Sequence, residues 1–130
     1  MKSNKISLNK KWVKEISIHD PELQVKKAIE ELLSLPNPVN AILFTNNILS
    51  TLGLVYINSL TIKVPSDIAV VSFDESVASE LFYAPVTHIR QPLKELGQKA
   101  TNALLDMINT DKTVAITLKA ELVIRKSTER

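Results

Sequence analysis

The stretch VPSDIAVVSFDES (residues 64–76) contains a continuous apolar run that ends in two acidic residues, Asp74 and Glu75. A short run that is apolar at every position and rich in β-branched residues predicts a strand buried on both faces, here over residues 68–73. Strands of this kind occur in parallel sheets that are covered by helices. The stretch therefore predicts an α/β fold and places two carboxylates directly after a buried strand.

The same pattern recurs on both sides of this stretch. NAILFT (residues 40–45) and VTHIR (residues 86–90) are two further strand candidates, and amphipathic helices are predicted between and around them. The first helix is expected to begin at Pro21 with Asp20 as its N-cap, and Pro92 is expected to open another over residues 92–108. Other short β-like runs are residues 5–8, 14–18, 114–118 and 121–125. The predicted fold is an open, mainly parallel sheet with helices on both faces.

Composition limits the classes of function. The 130 residues are 45% hydrophobic and 23% charged, with a net charge of +2 and no cysteine, which is typical of one globular domain. The scattered basic residues do not form a nucleic-acid footprint, and the lack of cysteine excludes a disulfide scaffold and a thiolate zinc site. No apolar run is long enough to cross a bilayer, and no secretion signal is recognisable, so we expect a cytoplasmic protein without a membrane partner.

Polar side chains follow each of the three best strand candidates. Asn46 follows residues 40–45, Asp74 follows residues 68–73, and Gln91 follows residues 86–90. Ligands of open parallel sheets bind beyond the carboxyl ends of the strands. Carboxylate and amide groups suit a neutral ligand with many hydroxyls, and the adjacent Phe73 could pack against its ring. The alternative interpretation is structural, because Asn and Asp after a strand are also common helix caps and turn residues.

Signatures of catalysis are absent from the sequence. There is no phosphate-binding loop, no nucleophile elbow and no zinc-binding H-E-x-x-H motif. Asp74 and Glu75 are adjacent, so their side chains should point to opposite sides of an extended segment, which is a poor arrangement for an acid/base pair. His88 lies inside a predicted strand and is interpreted as a hydrogen-bonded strand residue. We therefore predict no enzyme, no cofactor and no metal site.

Several motifs at consistent spacing resemble one protein family. AILFTNN, KVPSDIAVVSFDES, APVTHIRQPLKELGQKA and LVIRKST, which fall within residues 41–128, are similar to the C-terminal part of the effector-binding core of LacI/GalR-type transcription regulators. The resemblance implies a periplasmic-binding-protein-like fold that closes around a sugar or purine-like effector, usually in a homodimer. It also implies that Asn46, Asp74 and Gln91 contact the effector, with Phe73 beside them.

The resemblance further implies a division of the chain. Residues 1–90 would form part of the C-terminal subdomain, residues 91–113 a helix that normally belongs to the N-terminal subdomain, and residues 114–130 the closing strands and tail. The helix over residues 92–108 would then present an apolar stripe without its usual partner, and we expect it to dock on a second copy or to fold back on its own sheet. Operator DNA would be bound only by the full-length protein. The alternatives are a sugar-binding transport protein of the same fold and, less well supported, a small flavodoxin-like enzyme.

Overall fold

The computed structural model describes residues 9–110 and 113–129. Its centre is a four-stranded sheet in which the strands lie side by side in chain order. The first three strands pair in parallel, and the fourth runs antiparallel to the third. The strands are β1 (Ala41–Phe44), β2 (Ala69–Phe73), β3 (Thr87–Arg90) and β4 (Glu121–Val123). The predicted open, mainly parallel α/β fold is confirmed.

Four α-helices accompany the sheet in the described part of the chain. They are α1 (Pro21–Leu33), α2 (Asn47–Ser59), α3 (Val77–Leu81) and α4 (Leu93–Thr110), and single 3₁₀ turns span Lys10–Trp12 and Lys126–Thr128. The helices predicted to begin at Pro21 and near Pro92 are both present. Helix α3 was not predicted, because its five residues are too few to show a helical period. It begins at Ser76, whose hydroxyl accepts a hydrogen bond from the Ser79 backbone N–H.

The start of α1 differs from the prediction. Asp20 occupies the N-cap position, but its backbone is left-handed (φ 53°, ψ 57°) and its side chain makes no capping hydrogen bond. A capping side chain needs an extended backbone to reach the free N–H groups of the first turn. Gln24 braces this end instead, since its amide accepts a bond from the Ser17 N–H and donates one to the His19 carbonyl oxygen.

The hydrophobic core lies between the sheet and the first two helices. Ile42, Phe44 and Val70 point to this face of the sheet and are buried. Helix α2 approaches β1 closely because Gly53 has no side chain, and a Cβ atom there would overlap the ring of Phe44. The rest of the core consists of Val25, Ile29, Leu32, Leu54, Ile57, Val64, Ile68, Ala84 and Val86.

The opposite face of the sheet is less completely covered. Strands β1 and β2 are mainly apolar on both faces, as predicted, yet Leu43 of β1 is 54% exposed and Leu122 of β4 is 60% exposed on this side. Coverage of both faces was expected, but α1 and α2 pack on the same face. Helix α4 contributes no buried side chain to either face. Among the described residues the sheet is therefore well covered on one side only.

Two predicted strands are wrong. Residues 14–18 and 114–118 have strand-like sequences but form no strand. A β-rich composition produces a strand only where a neighbouring strand offers its hydrogen-bonding groups. Of the run 121–125, only Glu121–Val123 pairs with the sheet. The run at residues 5–8 lies outside the described residues.

The C-terminal turn fastens two strands together. Ser127 is fully buried, and its hydroxyl donates to the Val70 carbonyl oxygen at 2.5 Å while it accepts from the Thr87 N–H at 2.8 Å. The Ser127 N–H donates to the Pro85 carbonyl oxygen at 3.0 Å. Because these bonds reach both β2 and β3, the turn holds in place the two strands that lead to Asp74 and Gln91.

Candidate functional site

The parallel pairing of β1, β2 and β3 brings their carboxyl ends to one edge of the sheet. Asn46 follows β1, Asp74 directly follows β2, and Gln91 directly follows β3. The three polar residues that the sequence predicts to bind a ligand therefore lie at the edge where ligands of open parallel sheets bind.

Asp74 and Gln91 form a direct pair. The Gln91 side-chain N–H donates to Oδ1 of Asp74 at 2.7 Å, and both residues are half-buried. The backbone holds them in register, because the Asp74 N–H donates to the Ile89 carbonyl oxygen at 3.0 Å. The second carboxylate oxygen of Asp74 and the amide oxygen of Gln91 remain as acceptors of hydrogen bonds.

The backbone at Asp74 is unusual. Its φ angle is 71°, in the left-handed region that side-chain-bearing residues seldom adopt, although Asp tolerates it better than most. The Ser72 hydroxyl donates to the Asp74 carbonyl oxygen at 3.0 Å and so stabilises this turn. Backbone conformations of this kind concentrate at sites where the chain must present a side chain in one direction.

Asn46 has a structural role. It is the N-cap of α2, and its Oδ1 accepts a hydrogen bond from the Leu49 N–H at 2.8 Å. The structural alternative raised for this residue is therefore correct for its amide oxygen. Its amide NH₂ makes no hydrogen bond within the described part of the chain, so Asn46 retains two donors at the edge of the sheet. No hydrogen bond joins Asn46 to Asp74 or Gln91 among these residues.

Phe73 is the last residue of β2 and is half-buried. Its neighbour Ser72 points to the covered face of the sheet, and side chains alternate along a strand. The ring therefore lies on the less covered face, in register with Ile89 of β3. Phe73 thus directly precedes Asp74 in the chain, while its ring lies on the less covered face of the sheet.

The second acidic residue has a different partner from the first. The Arg90 guanidinium donates to both carboxylate oxygens of Glu75, at 3.3 and 3.4 Å. Arg90 also lies 3.8 Å from Glu121 of β4. The two residues after β2 therefore bind two consecutive residues at the end of β3, Asp74 to Gln91 and Glu75 to Arg90. Sequence reasoning missed this second pair, although an acidic pair and an Arg-Gln pair at the ends of neighbouring strands are a visible signal.

His88 lies close to the Glu75–Arg90 pair. Its ring is fully buried, and Nδ1 is 3.1 Å from the Val86 carbonyl oxygen. Nε2 has no hydrogen-bond partner and lies 3.9 Å from the nearer carboxylate oxygen of Glu75. The interpretation of His88 as a hydrogen-bonded strand residue is thus correct for one ring nitrogen only.

The concave surfaces of the molecule are open. A cavity of about 250 Å³ lies beside Asn46 and is lined by Asn47, Ile48, Thr51, Leu52 and Ser76. A larger concavity of about 660 Å³ runs along α4 and is lined by that helix alone. Neither contains Asp74 or Gln91, so in the described residues these two line an open edge of the sheet.

The described ranges contain no group of three or more His, Asp or Glu side chains that could hold a metal ion. Within the same ranges, no helix has the length and apolar character needed to span a bilayer.

Comparison with known proteins places this geometry in a family. Residues 4–128 match the model of the periplasmic binding protein-like domain. The chain is 28% identical over 124 residues to the HTH-type transcriptional repressor PurR of Pasteurella multocida (strain Pm70), a match that covers 94% of this chain and 36% of the relative. The chain thus spans about a third of the length of that repressor.

Solved structures show the same fold. A putative LacI transcriptional regulator from Bacillus cereus subsp. cytotoxis NVH 391-98 superimposes with a TM-score of 0.82 at 26% identity, over 98% of this chain and 45% of that one. A complex of the transcriptional regulator CelR with cellobiose superimposes with a TM-score of 0.80 at 24% identity, over 96% of this chain and 38% of that one.

Proposed function

Because the chain belongs to the periplasmic binding protein-like domain family, in the form found in LacI-type regulators, we propose that it binds a small-molecule effector as part of a transcription regulator. The observation that carries this proposal is the Asp74–Gln91 pair at the carboxyl edge of the sheet. The similar proteins are transcriptional regulators, not enzymes, so the expected chemistry is recognition.

The effector is a polar ring compound, a sugar or a purine-like molecule. Asp74 offers a free carboxylate oxygen, Gln91 offers an amide oxygen, and Asn46 offers amide N–H donors. This mixture suits hydroxyl groups, which both donate and accept. Phe73, the last residue of β2, would supply an apolar surface for the ring of the effector. The CelR complex supports a sugar, since that neighbour holds cellobiose.

The effector would regulate the protein from the open edge of the sheet, where Asp74 and Gln91 lie. A ligand shifts a conformational equilibrium only as far as it binds one state better than the other. The effector would bridge Asp74 and Gln91 to a second half of the cleft and so favour its closed arrangement. Closure would change the affinity of the full-length regulator for operator DNA. The net charge of +2 and the scattered basic residues do not indicate a DNA-binding surface on this chain, so we assign operator binding to the full-length protein.

The subdomain assignment and the cellular setting belong to the same proposal. Residues 1–90 are assigned to the C-terminal subdomain, residues 91–113 to a helix of the N-terminal subdomain, and residues 114–130 to the closing segment. The regulator acts in the cytoplasm, where operator DNA is found, and as a homodimer. A sugar-binding transport protein is the alternative with the same fold, but the regulators among the similar proteins favour transcription.

The site is tested by calorimetric titration of the full-length regulator with cellobiose, other sugars and purine bases. Asp74→Ala should weaken binding of the effector by roughly 1.5–3 kcal/mol, which corresponds to about ten- to hundredfold in Kd. Gln91→Ala should weaken it as well. Gln98→Ala is the matched control, because this residue lies on α4 and away from the strand ends. An effector that binds Asp74→Ala as tightly as the unsubstituted protein would remove the pair from the site.

A further inference from the structure

His88 of β3 is a buried histidine with an oxygen acceptor near each of its ring nitrogens. The ring is fully buried, and Nδ1 lies 3.1 Å from the Val86 carbonyl oxygen. A carbonyl oxygen only accepts, so this bond places the single ring hydrogen of the neutral form on Nδ1. Nε2 then carries a lone pair, lies 3.9 Å from the Glu75 carboxylate, and makes no hydrogen bond with the described residues. The neutral ring therefore satisfies only one of its two nitrogens.

The protonated ring can bond to both acceptors. An imidazolium donates from Nδ1 and from Nε2 at the same time, whereas a neutral ring donates from one nitrogen only. Burial disfavours the charged form of His88, and a carboxylate beside the ring favours it. Histidine is also the side chain that ordinarily changes its charge between about pH 5 and 8. The Glu75 carboxylate is thus a partner that the ring gains when it is protonated.

Glu75 has room to move toward His88. Its side chain is exposed, and its hydrogen bonds from the Arg90 guanidinium are 3.3 and 3.4 Å long. Charge-assisted hydrogen bonds are ordinarily about 2.7–2.9 Å long, so Arg90 holds this carboxylate loosely. A displacement of roughly 1 Å would bring the carboxylate within bonding distance of Nε2.

We propose that His88 is a pH-responsive positioning residue for the edge of the sheet. On protonation, Nε2 donates to Glu75, and His88 replaces Arg90 as the main partner of this carboxylate. Glu75 directly follows Asp74 in the chain, and Arg90 directly precedes Gln91. The exchange therefore displaces the residues on either side of the Asp74–Gln91 pair, and the geometry of the pair changes on acidification.

The other charged groups near β3 leave this exchange to Glu75. Within the described ranges, Glu75 is the acidic residue closest to the His88 ring nitrogens. Asp74 is bonded to Gln91, and Arg90 keeps a second carboxylate at 3.8 Å when Glu75 leaves. The charged residues on the segments next to β3 are Asp74 and Glu75 after β2, Arg90 of β3 itself, Glu121 of β4, and Arg125, Lys126 and Glu129 around the C-terminal turn, where Arg125 pairs with Glu80 of α3 at 3.2 Å.

The consequence for the effector rests on the proposed function, because the exchange acts on the pair that is proposed to bind it. A pair whose geometry changes with pH should bind the effector with a pH-dependent affinity. The exchange itself needs no ligand and is measured without one. Its failure would leave effector binding untouched, and failure of effector binding would leave the exchange untouched.

Nuclear magnetic resonance of the 130-residue chain between about pH 5 and 8 tests the proposal. The chain has two histidines, and the exposed His19 is the internal reference. As the pH falls, the ring nitrogens of His88 should pass from the neutral form, with hydrogen on Nδ1, to the form protonated on both. The side-chain amide of Gln91 should shift together with His88, and circular dichroism should show that the chain stays folded.

Two substitutions at the edge should move the titration of His88 in opposite directions. Glu75→Gln removes the carboxylate that favours the imidazolium, so His88 should become protonated at a lower pH than in the unsubstituted chain. Arg90→Gln removes the competing partner and its positive charge, so His88 should become protonated at a higher pH. Glu80→Gln is the matched control, because Glu80 pairs with Arg125 and should leave the titration of His88 unchanged.

Three results would overturn the proposal. The first is a His88 ring that stays neutral while His19 becomes protonated, or that becomes protonated only as the chain unfolds. The second is a His88 titration that Glu75→Gln leaves unchanged. The third is a Gln91 amide that does not follow the titration of His88, since His88 would then have no effect on the proposed site.

Discussion

The two acidic residues that follow β2 have different partners, and we propose that they have different roles. Asp74 binds Gln91 and faces the proposed ligand, whereas Glu75 binds Arg90 and ties the same two strand ends together. The sequence was sufficient to predict the position of Asp74, because a buried strand that ends abruptly in polar residues is visible in the pattern. It could not predict the partners, since they depend on the register between β2 and β3.

Asn46 is expected to stabilise the protein through its cap on α2. Asn46→Ala removes the acceptor of the Leu49 N–H and should lower the free energy of unfolding by about 1 kcal/mol, within the usual range for N-caps. Urea denaturation measures this change. Asn58→Ala, at an exposed position in the last turn of the same helix, is the control and should change stability by less than about 0.5 kcal/mol. Equal effects of the two substitutions would show that the cap contributes nothing.

Ser127 is expected to matter more than its size suggests. Ser127→Ala leaves the buried Val70 carbonyl and the Thr87 N–H without their hydroxyl partner, which should cost about 1–3 kcal/mol of stability. Ser59→Ala removes an exposed serine hydroxyl bond of similar length and should have a much smaller effect. If the two variants have the same denaturation midpoint, the role assigned to the C-terminal turn is wrong.

At the scale of elements, α1 and α2 are joined by a titratable contact. The Tyr56 hydroxyl donates to Oε1 of Glu30 at 2.7 Å, and Lys26 lies 5.6 Å from the centre of the Tyr56 ring. The hydrogen bond to Glu30 raises the pKa of Tyr56 above its ordinary value of 10.0, because it stabilises the protonated phenol. A pKa raised by folding means that the contact stabilises the protein fully below pH 10.0 and is lost as the pH rises through the folded-state pKa.

Ultraviolet titration of tyrosinate measures this shift. Glu30→Gln should lower the pKa of Tyr56 toward 10.0, since it removes the charge that the phenol faces. Glu31→Gln is the control, because Glu31 pairs with Lys14 and does not contact Tyr56. An unchanged Tyr56 titration in Glu30→Gln would show that the two helices are not joined by this bond.

The two glycines of the chain should respond in opposite directions. Gly53→Ala places a methyl group where the ring of Phe44 lies, and the resulting displacement should cost about 1–3 kcal/mol despite the better helix propensity of alanine. Gly97→Ala in α4 meets no atom within 4 Å and should raise helicity slightly. Circular dichroism and thermal unfolding distinguish the two. A Gly53→Ala variant as stable as the unsubstituted chain would contradict the close approach of α2 to β1.

Elements were predictable where local pattern and tertiary environment agree. The strands β1 and β2 have mainly apolar signatures and the helices α1, α2 and α4 have long ones, and all five are present, as is the predicted strand β3. The runs 14–18 and 114–118 have the composition of strands but no neighbouring strand to pair with. Asp20 has the identity of a cap but the wrong backbone angle for one. In each case the missing information is tertiary rather than local.

At the scale of the whole molecule, we propose that the fold presents one part of a binding cleft. The chain spans 36% of the length of the PurR relative and 45% of the Bacillus cereus structure, and its proposed ligand-binding pair lies at an open edge. Helix α4 and the face of the sheet that carries Leu43 and Leu122 are apolar surfaces that are not fully covered within the described residues. The family resemblance of the sequence identified this architecture, whereas the exposure of its surfaces could be seen only in three dimensions.

Nuclear magnetic resonance titration of the chain is the decisive test of the proposal that the Asp74–Gln91 pair binds a polar ring compound. The side-chain amide of Gln91 is the probe, because its N–H donates to Asp74 and would sense a ligand there even at millimolar affinity. We expect at least one sugar or purine base to shift this resonance in a saturable way, and Asp74→Asn to weaken the effect. Saturable shifts confined to other residues, or a Gln91 amide that no member of the panel perturbs, would contradict it.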